Sequence, residues 1–113
     1  MNPCLFNLVI YSDNKEQIPY LRGIATSMIK KYPAQVIIVS PGNEIKITKS
    51  DPEVQIELPP KALEDISLFV LPFLYPDYPI CLFYSGNPAK DSPVFNALIR
   101  LSDRLIVDSE TSD

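Results

Sequence analysis

The sequence predicts an α/β domain with a three-layer, doubly wound architecture. We expect a mostly parallel sheet of about five strands plus an edge hairpin, with three helices on its two faces. Three observations support this: short apolar runs alternate with segments of helical periodicity, proline and glycine clusters separate them, and 113 residues suit a single domain. Strands joined through helices pair in parallel, because each crossover returns the chain in the same direction.

The first third of the chain is predicted to form strand, helix and strand. The apolar run 5–11 is typical of a strand covered on both faces. A Ser-Asp-Asn tripeptide follows, in which Asn14 suits the helix N-cap and Gln17 is placed as in a capping box. Apolar residues then recur at helical spacing until Pro33 ends the helix. Residues 35–40, rich in β-branched side chains, form the next strand.

The rest of the chain continues the alternation. Residues 45–48 and 54–58 alternate polar and apolar side chains, which is typical of a half-exposed hairpin at a sheet edge. The remaining predicted elements are a helix that starts at Pro59-Pro60 and ends near Pro72, a buried strand at 80–84, a helix capped by Ser92 and a last strand at 105–107.

A crevice is predicted where the chain connections reverse direction. We expect the strand order edge hairpin, 35–40, 5–11, 80–84 and 105–107, so that the reversal falls between 5–11 and 80–84. Folds of this type bind ligands at that point, beyond the carboxyl ends of the strands. The candidate ligand-binding residues are Ser12, Asp13, Asn14, Ser85, Gly86 and Asn87.

Two readings of this crevice stay open. The Ser-Asp-Asn tripeptide either caps the helix or binds a small anion, such as a sugar phosphate, at the helix N-terminus. The three glycines of the chain form no phosphate-binding loop, and Asp13 would repel a phosphate group.

The composition excludes several function classes. Ten basic and 14 acidic residues give a net charge of −4, which disfavours nucleic acid as a partner. No apolar stretch approaches about 18 residues, so we expect no membrane span. Without histidine, metal sites of the His type and His-based acid–base catalysis are excluded. We therefore expect no catalytic residues, no metal and no cofactor.

The cysteines and the N-terminus indicate a compartment. The chain has two cysteines without close spacing, and its first residues lack the basic region of a signal peptide. We expect a cytoplasmic location, with Cys81 as an inert, buried side chain in the strand 80–84.

A proline-rich pattern in the second half of the chain is specific enough to indicate a protein family. Its features are Leu71-Pro72-Phe73-Leu74, Pro76-Asp77, Pro79, Gly86, Pro88, Leu98, Leu101, Arg104, Ile106 and Asp108. Together with the passage from a helix-ending proline into a strand at 32–39, they resemble the OpcA family, the glucose-6-phosphate dehydrogenase assembly proteins. Gln35 stands where the family more usually has arginine, and Phe83-Tyr84 where it usually has two tryptophans.

The resemblance implies a non-enzymatic role. Members of the family support assembly or activation of glucose-6-phosphate dehydrogenase, the entry enzyme of the oxidative pentose phosphate pathway. They carry further sequence on both sides, so we expect residues 1–113 to be one domain of a longer chain, with a mobile tail at 109–113.

The segment 75–79 is either a structural loop or a partner-contact loop, since prolines stiffen it and tyrosines favour interfaces. The candidate partner-binding residues are Tyr75, Asp77, Tyr78, Phe83, Tyr84 and Asn87.

Overall fold

A computed structural model gives the fold, and it describes residues 6–31, 34–50, 53–59, 70–74, 77–85 and 93–108. The strands are β1 (Phe6–Tyr11), β2 (Ala34–Pro41), β3 (Lys46–Ser50), β4 (Glu53–Leu58), β5 (Ile80–Ser85) and β6 (Arg104–Asp108). The α-helices are α1 (Ile18–Lys31) and α2 (Pro93–Leu101), with short 3₁₀ turns at Lys15–Gln17 and Leu71–Phe73.

The six strands form one sheet in the order β3-β4-β2-β1-β5-β6. β1 lies inside it and pairs in parallel on both sides, so that Leu8 is opposite Val36 of β2 and Cys81 of β5. Among the described strands, β3 alone runs antiparallel to its neighbour, β4. The predicted strand order is confirmed, and the connections reverse direction between β1 and β5.

The two faces of the sheet carry separate apolar clusters. Because side chains alternate along a strand, Leu8 and Ile10 of β1 lie on one face, whereas Val9 and Tyr11 lie on the other. The first pair packs with Leu21 and Ala25 of α1. The second pair packs with residues of α2, which are Val94, Phe95, Ala97 and Leu98. Among the described elements, one helix therefore covers each face.

The α/β class and the mostly parallel sheet are confirmed, but the helix count differs. The described residues contain two α-helices, where three were predicted. The third predicted helix, which was predicted to start at Pro59-Pro60, falls mainly on residues 60–69, outside the described residues. The expected mobile tail at 109–113 also lies outside them.

In the described part of the chain, no helix combines the length and the apolar character needed to cross a membrane.

Stability depends on β1 more than on the sheet edge, and two isoleucines test this. Ile10 is fully buried, whereas Ile47 of β3 is 41% exposed. We expect Ile10→Ala to lower the free energy of unfolding by about 2–5 kcal/mol, because it leaves a cavity. Ile47→Ala should cost less than about 1 kcal/mol, because exposed side chains lose little contact. Urea titration of both variants measures the difference, and equal losses would contradict a core centred on β1.

Candidate functional site

The three described residues before β5, Asp77, Tyr78 and Pro79, are called the 77–79 loop here. All three are exposed, and Tyr78 retains 39% of its surface. The loop lies at the amino end of β5, the edge opposite the crevice that the sequence predicts. Its aromatic ring on the surface makes this loop the first candidate for contact with a partner.

A buried amide in β1 holds the backbone of this loop. Asn7 is fully buried, and its side-chain Nδ2 donates to the carbonyl oxygens of Tyr78 at 3.3 Å and Pro79 at 3.4 Å. Its backbone N–H also donates to the Pro79 carbonyl at 2.8 Å. A buried polar group is tolerated when its hydrogen bonds are made. Asn7 therefore places a polar side chain in buried β1, where an apolar one would pack, and its hydrogen bonds hold the loop in place.

A second anchor comes from the residue before β6. The Asp103 carboxylate accepts a hydrogen bond from the Ile80 N–H at 2.8 Å. In return, the Asp103 N–H donates to the Ile80 carbonyl at 2.8 Å. The Asp103 carboxylate and its backbone N–H therefore clamp the start of β5.

The backbone of the loop has a left-handed residue. Asp77 has a φ of 71°, a region in which most residues with a Cβ are strained and which aspartate tolerates better than most. With Asn7 and Asp103 fixing the following residues, the loop presents Tyr78 from a defined backbone rather than from a flexible chain.

The structure separates the predicted partner-binding residues into two groups. Asp77 and Tyr78 precede β5, whereas Tyr84 lies near its carboxyl end, and roughly 17 Å of strand separates the two ends. Tyr84 packs edge-on against Phe95 of α2, with ring centroids 4.9 Å apart. Phe83 is only 2% exposed and belongs to the apolar cluster under α1, so it is a core residue and not a contact residue. Tyr75 and Asn87 lie outside the described residues.

The Ser-Asp-Asn tripeptide caps the turn that leads into α1. Asn14 Oδ1 accepts from the Glu16 N–H at 2.9 Å, and the Asn14 carbonyl accepts from the Gln17 N–H at 2.9 Å. The predicted capping is confirmed. The expected capping box is altered by Ser12: the Asn14 N–H donates to the Ser12 hydroxyl at 3.1 Å, and the Gln17 side chain accepts from the same hydroxyl at 3.0 Å.

The polar groups at the crevice between β1 and β5 are hydrogen-bonded to one another. Ser12 is 2% exposed, and its hydroxyl accepts from the Asn14 N–H at 3.1 Å and contacts the Asn14 carbonyl at 2.9 Å. The Asp13 carboxylate accepts from the Tyr11 hydroxyl. Ser85 ends β5, and Gly86 and Asn87 lie outside the described residues. In the described part of this crevice, the Ser12 hydroxyl is already bonded to Asn14 and Gln17 and is not available to donate to an anion.

A cleft that the sequence did not predict lies between α1 and the strands β2 and β4. It has a volume of about 200 Å³ and is lined by Ile18, Pro19, Arg22, Ile38, Ser40, Gln55 and Glu57. Arg22 at its rim forms an ion pair with Glu53, with a closest distance of 2.8 Å between Nη2 and Oε1. The guanidinium of Arg22 is already neutralised by Glu53, and Glu57 adds a carboxylate to the lining, which does not suit a phosphate.

Cys81 of β5 is a buried, free thiol. Burial raises the pKa of this thiol, and the charge of Asp103 adds to the rise while that of Arg104 opposes it. Because the pKa of the thiol is higher in the folded chain than in the unfolded chain, the contribution of this thiol to folding stability is complete below the unfolded-state pKa. That contribution is lost as the pH rises through the folded-state pKa. The thiolate, which is the reactive form, is therefore disfavoured in the folded protein.

Sequence reasoning missed Asn7 and the anchoring role of Asp103. A signal for Asn7 does exist, because it is a single amide inside the apolar run LFNLVIY. The partners that such an amide finds, two carbonyls more than seventy positions away, are visible only in the fold.

Comparison with known proteins gives one family. A family model described as the glucose-6-phosphate dehydrogenase subunit N-terminal domain matches residues 25–113, which is most of the chain. Searches of curated proteins and of solved structures found no match. The matched range contains the 77–79 loop and Asp103, but not Asn7.

The anchoring role of Asn7 can be tested by truncation. We expect Asn7→Ala to lower the free energy of unfolding by about 1–3 kcal/mol, because the Tyr78 and Pro79 carbonyls lose the side-chain donor and the truncation leaves space in the core. Asn43→Ala, in the exposed turn between β2 and β3, is the matched control and should stay within about 0.5 kcal/mol. Urea titration compares them, and an Asn7→Ala variant as stable as the control would refute the anchor.

The low reactivity of Cys81 is measurable in a Cys4→Ser background. We expect iodoacetamide at mildly alkaline pH to alkylate Cys81 at least about tenfold more slowly in the folded chain than in urea, because the thiol is buried and its pKa is raised. Mass spectrometry over time gives both rates. Equal rates would show that the thiol is accessible in the folded chain.

Proposed function

We propose that this chain, which belongs to the OpcA family of glucose-6-phosphate dehydrogenase assembly proteins, is a non-catalytic partner that binds glucose-6-phosphate dehydrogenase and supports its assembly or activation. The match over residues 25–113 supports the choice of partner. The observation that supports the choice of surface is the exposed Tyr78 on a loop that Asn7 and Asp103 anchor.

Anchoring matters because ordering a loop on binding costs free energy. A loop whose backbone carbonyls are already hydrogen-bonded to Asn7 of β1, and whose next residue, Ile80, is held by Asp103, has less conformational entropy to lose when a partner docks. Tyrosine is among the residues that contribute most to binding at interfaces, since its ring buries a large area with few rotatable bonds. Tyr78 combines an exposed ring with a fixed backbone.

The opposite end of β5 has less to offer a partner. Tyr84 is partly buried against Phe95, and Phe83 faces the core. We therefore restrict the proposed contact to Asp77 and Tyr78 among the described residues.

The alternative function, binding of a sugar phosphate or another small anion in the crevice between β1 and β5, has weaker support. The Ser12 hydroxyl and the Asn14 amide are both used to cap the turn into α1. Asp13 adds a negative charge at the place where an anion would sit. Inorganic phosphate that binds this crevice in an NMR titration would favour the alternative.

The proposed setting is the cytoplasm and the oxidative pentose phosphate pathway. The support for the setting is chemical: Cys81 is a free thiol, and the chain has only two cysteines.

Three tyrosines test the proposed surface. We expect Tyr78→Ala to raise the dissociation constant for glucose-6-phosphate dehydrogenase from the same organism at least about tenfold, because a central aromatic contact is lost. Tyr20→Ala on α1 is the control, since that ring is 45% exposed but lies on another element. Tyr84→Ala reports on the other end of β5. Isothermal titration calorimetry of the three variants, with dehydrogenase activity assayed in parallel, gives the comparison.

Two results would overturn this proposal. Absence of binding by the unmodified chain removes the partner role from this domain. Binding that Tyr84→Ala weakens and Tyr78→Ala does not would move the contact to the carboxyl end of β5.

A further inference from the structure

The edge strand β6 exposes an apolar face. It is the last strand in the described sheet, and no described strand pairs with its outer edge. Leu105 is 48% exposed and Val107 is 44% exposed, two of the largest exposures among the apolar side chains described. An edge strand of this kind presents unpaired backbone N–H and C=O groups together with apolar side chains, which favours pairing with another strand.

The other edge of the sheet is built differently. β3 carries Lys46 and Lys49 and no acidic residue. Lysines on an edge strand oppose pairing with another copy, because like charges are brought together and must be desolvated. β6 carries one arginine and one aspartate, so its charges balance.

We propose that β6 pairs antiparallel with β6 of a second copy of this chain, in a twofold symmetric dimer centred on Ile106. The sequence Arg-Leu-Ile-Val-Asp is complementary to itself in that register. Arg104 lies opposite Asp108 of the second copy, and the twofold axis repeats the pair at the other end. Opposite charges directly across an antiparallel pair are stabilising.

The same register serves the apolar residues. Leu105 lies opposite Val107 of the second copy, and the symmetric pair repeats this contact, so four exposed apolar side chains meet on one face. Ile106 meets its own copy on the other face. The pairing joins two six-stranded sheets into one and satisfies the outward backbone groups of both strands.

The interface is short, with five residues from each copy, so the dimer is concentration-dependent. This inference goes beyond the proposed function and does not rest on it, because self-association is measured without glucose-6-phosphate dehydrogenase.

Charge variants test the dimer by sedimentation velocity over a concentration series. Arg104→Glu places two acidic residues opposite each other at both ends, and Asp108→Arg places two basic residues there. We expect each to raise the dimer dissociation constant at least about tenfold. Arg100→Glu on α2 carries the same charge change at an exposed site and is the control, for which no change is expected.

Two rescue experiments make the test specific for this register. An equimolar mixture of Arg104→Glu and Asp108→Arg chains restores both ion pairs and should form a mixed dimer. The double variant Arg104→Asp/Asp108→Arg also restores them within one sequence, and should dimerise about as well as the unmodified chain. Circular dichroism checks that each variant is folded, and the rescues decide even if one single variant does not fold.

The proposal fails if the unmodified chain sediments as a monomer up to its solubility limit, as it would if another protein or another segment covered β6. It also fails if dimers form but neither the mixture nor the double variant restores the dimer affinity that the single substitutions reduce.

Discussion

Parallel pairing on both sides of β1 is the constraint on which the other layers depend. Residues Asn7 to Tyr11 are at most 1% exposed, because β2 and β5 flank the strand and helices cover both faces. Each position of β1 is thereby assigned to one layer: alternate residues build the cluster under α1 and the cluster under α2. A shift of register by one residue would exchange the two sets and place Asn7 on the wrong face.

Asn7 couples this buried strand to the surface. A fully buried amide costs free energy unless its hydrogen bonds are made, and the partners here are the carbonyls of Tyr78 and Pro79. Opening of the loop breaks both of these hydrogen bonds to the buried side chain. Opening of the 77–79 loop is therefore linked to the loss of hydrogen bonds made by β1, and Asn7 couples the surface that we propose for partner binding to the core.

The sequence predicts the sheet well because its signals are local. Continuous apolar runs mark β1 and β2, and alternation marks the hairpin of β3 and β4; the helices between the buried strands then indicate parallel pairing. The site was harder for physical reasons. Phe83 and Tyr84 are adjacent in sequence, but only the fold shows that Phe83 faces α1. Gln17 has the spacing of a capping box, yet the Ser12 hydroxyl competes for its side chain.

Partner binding at the 77–79 loop and pairing of β6 with a second copy are compatible because of the position of Asp103. It clamps Ile80 at the amino end of β5 and immediately precedes β6, so the 77–79 loop and the start of β6 share one end of the sheet. In an antiparallel pair of β6 strands, the amino end of one copy meets the carboxyl end of the other. The two 77–79 loops then lie at opposite ends of the joined strands. A dimer of this kind offers two equivalent binding surfaces that face apart.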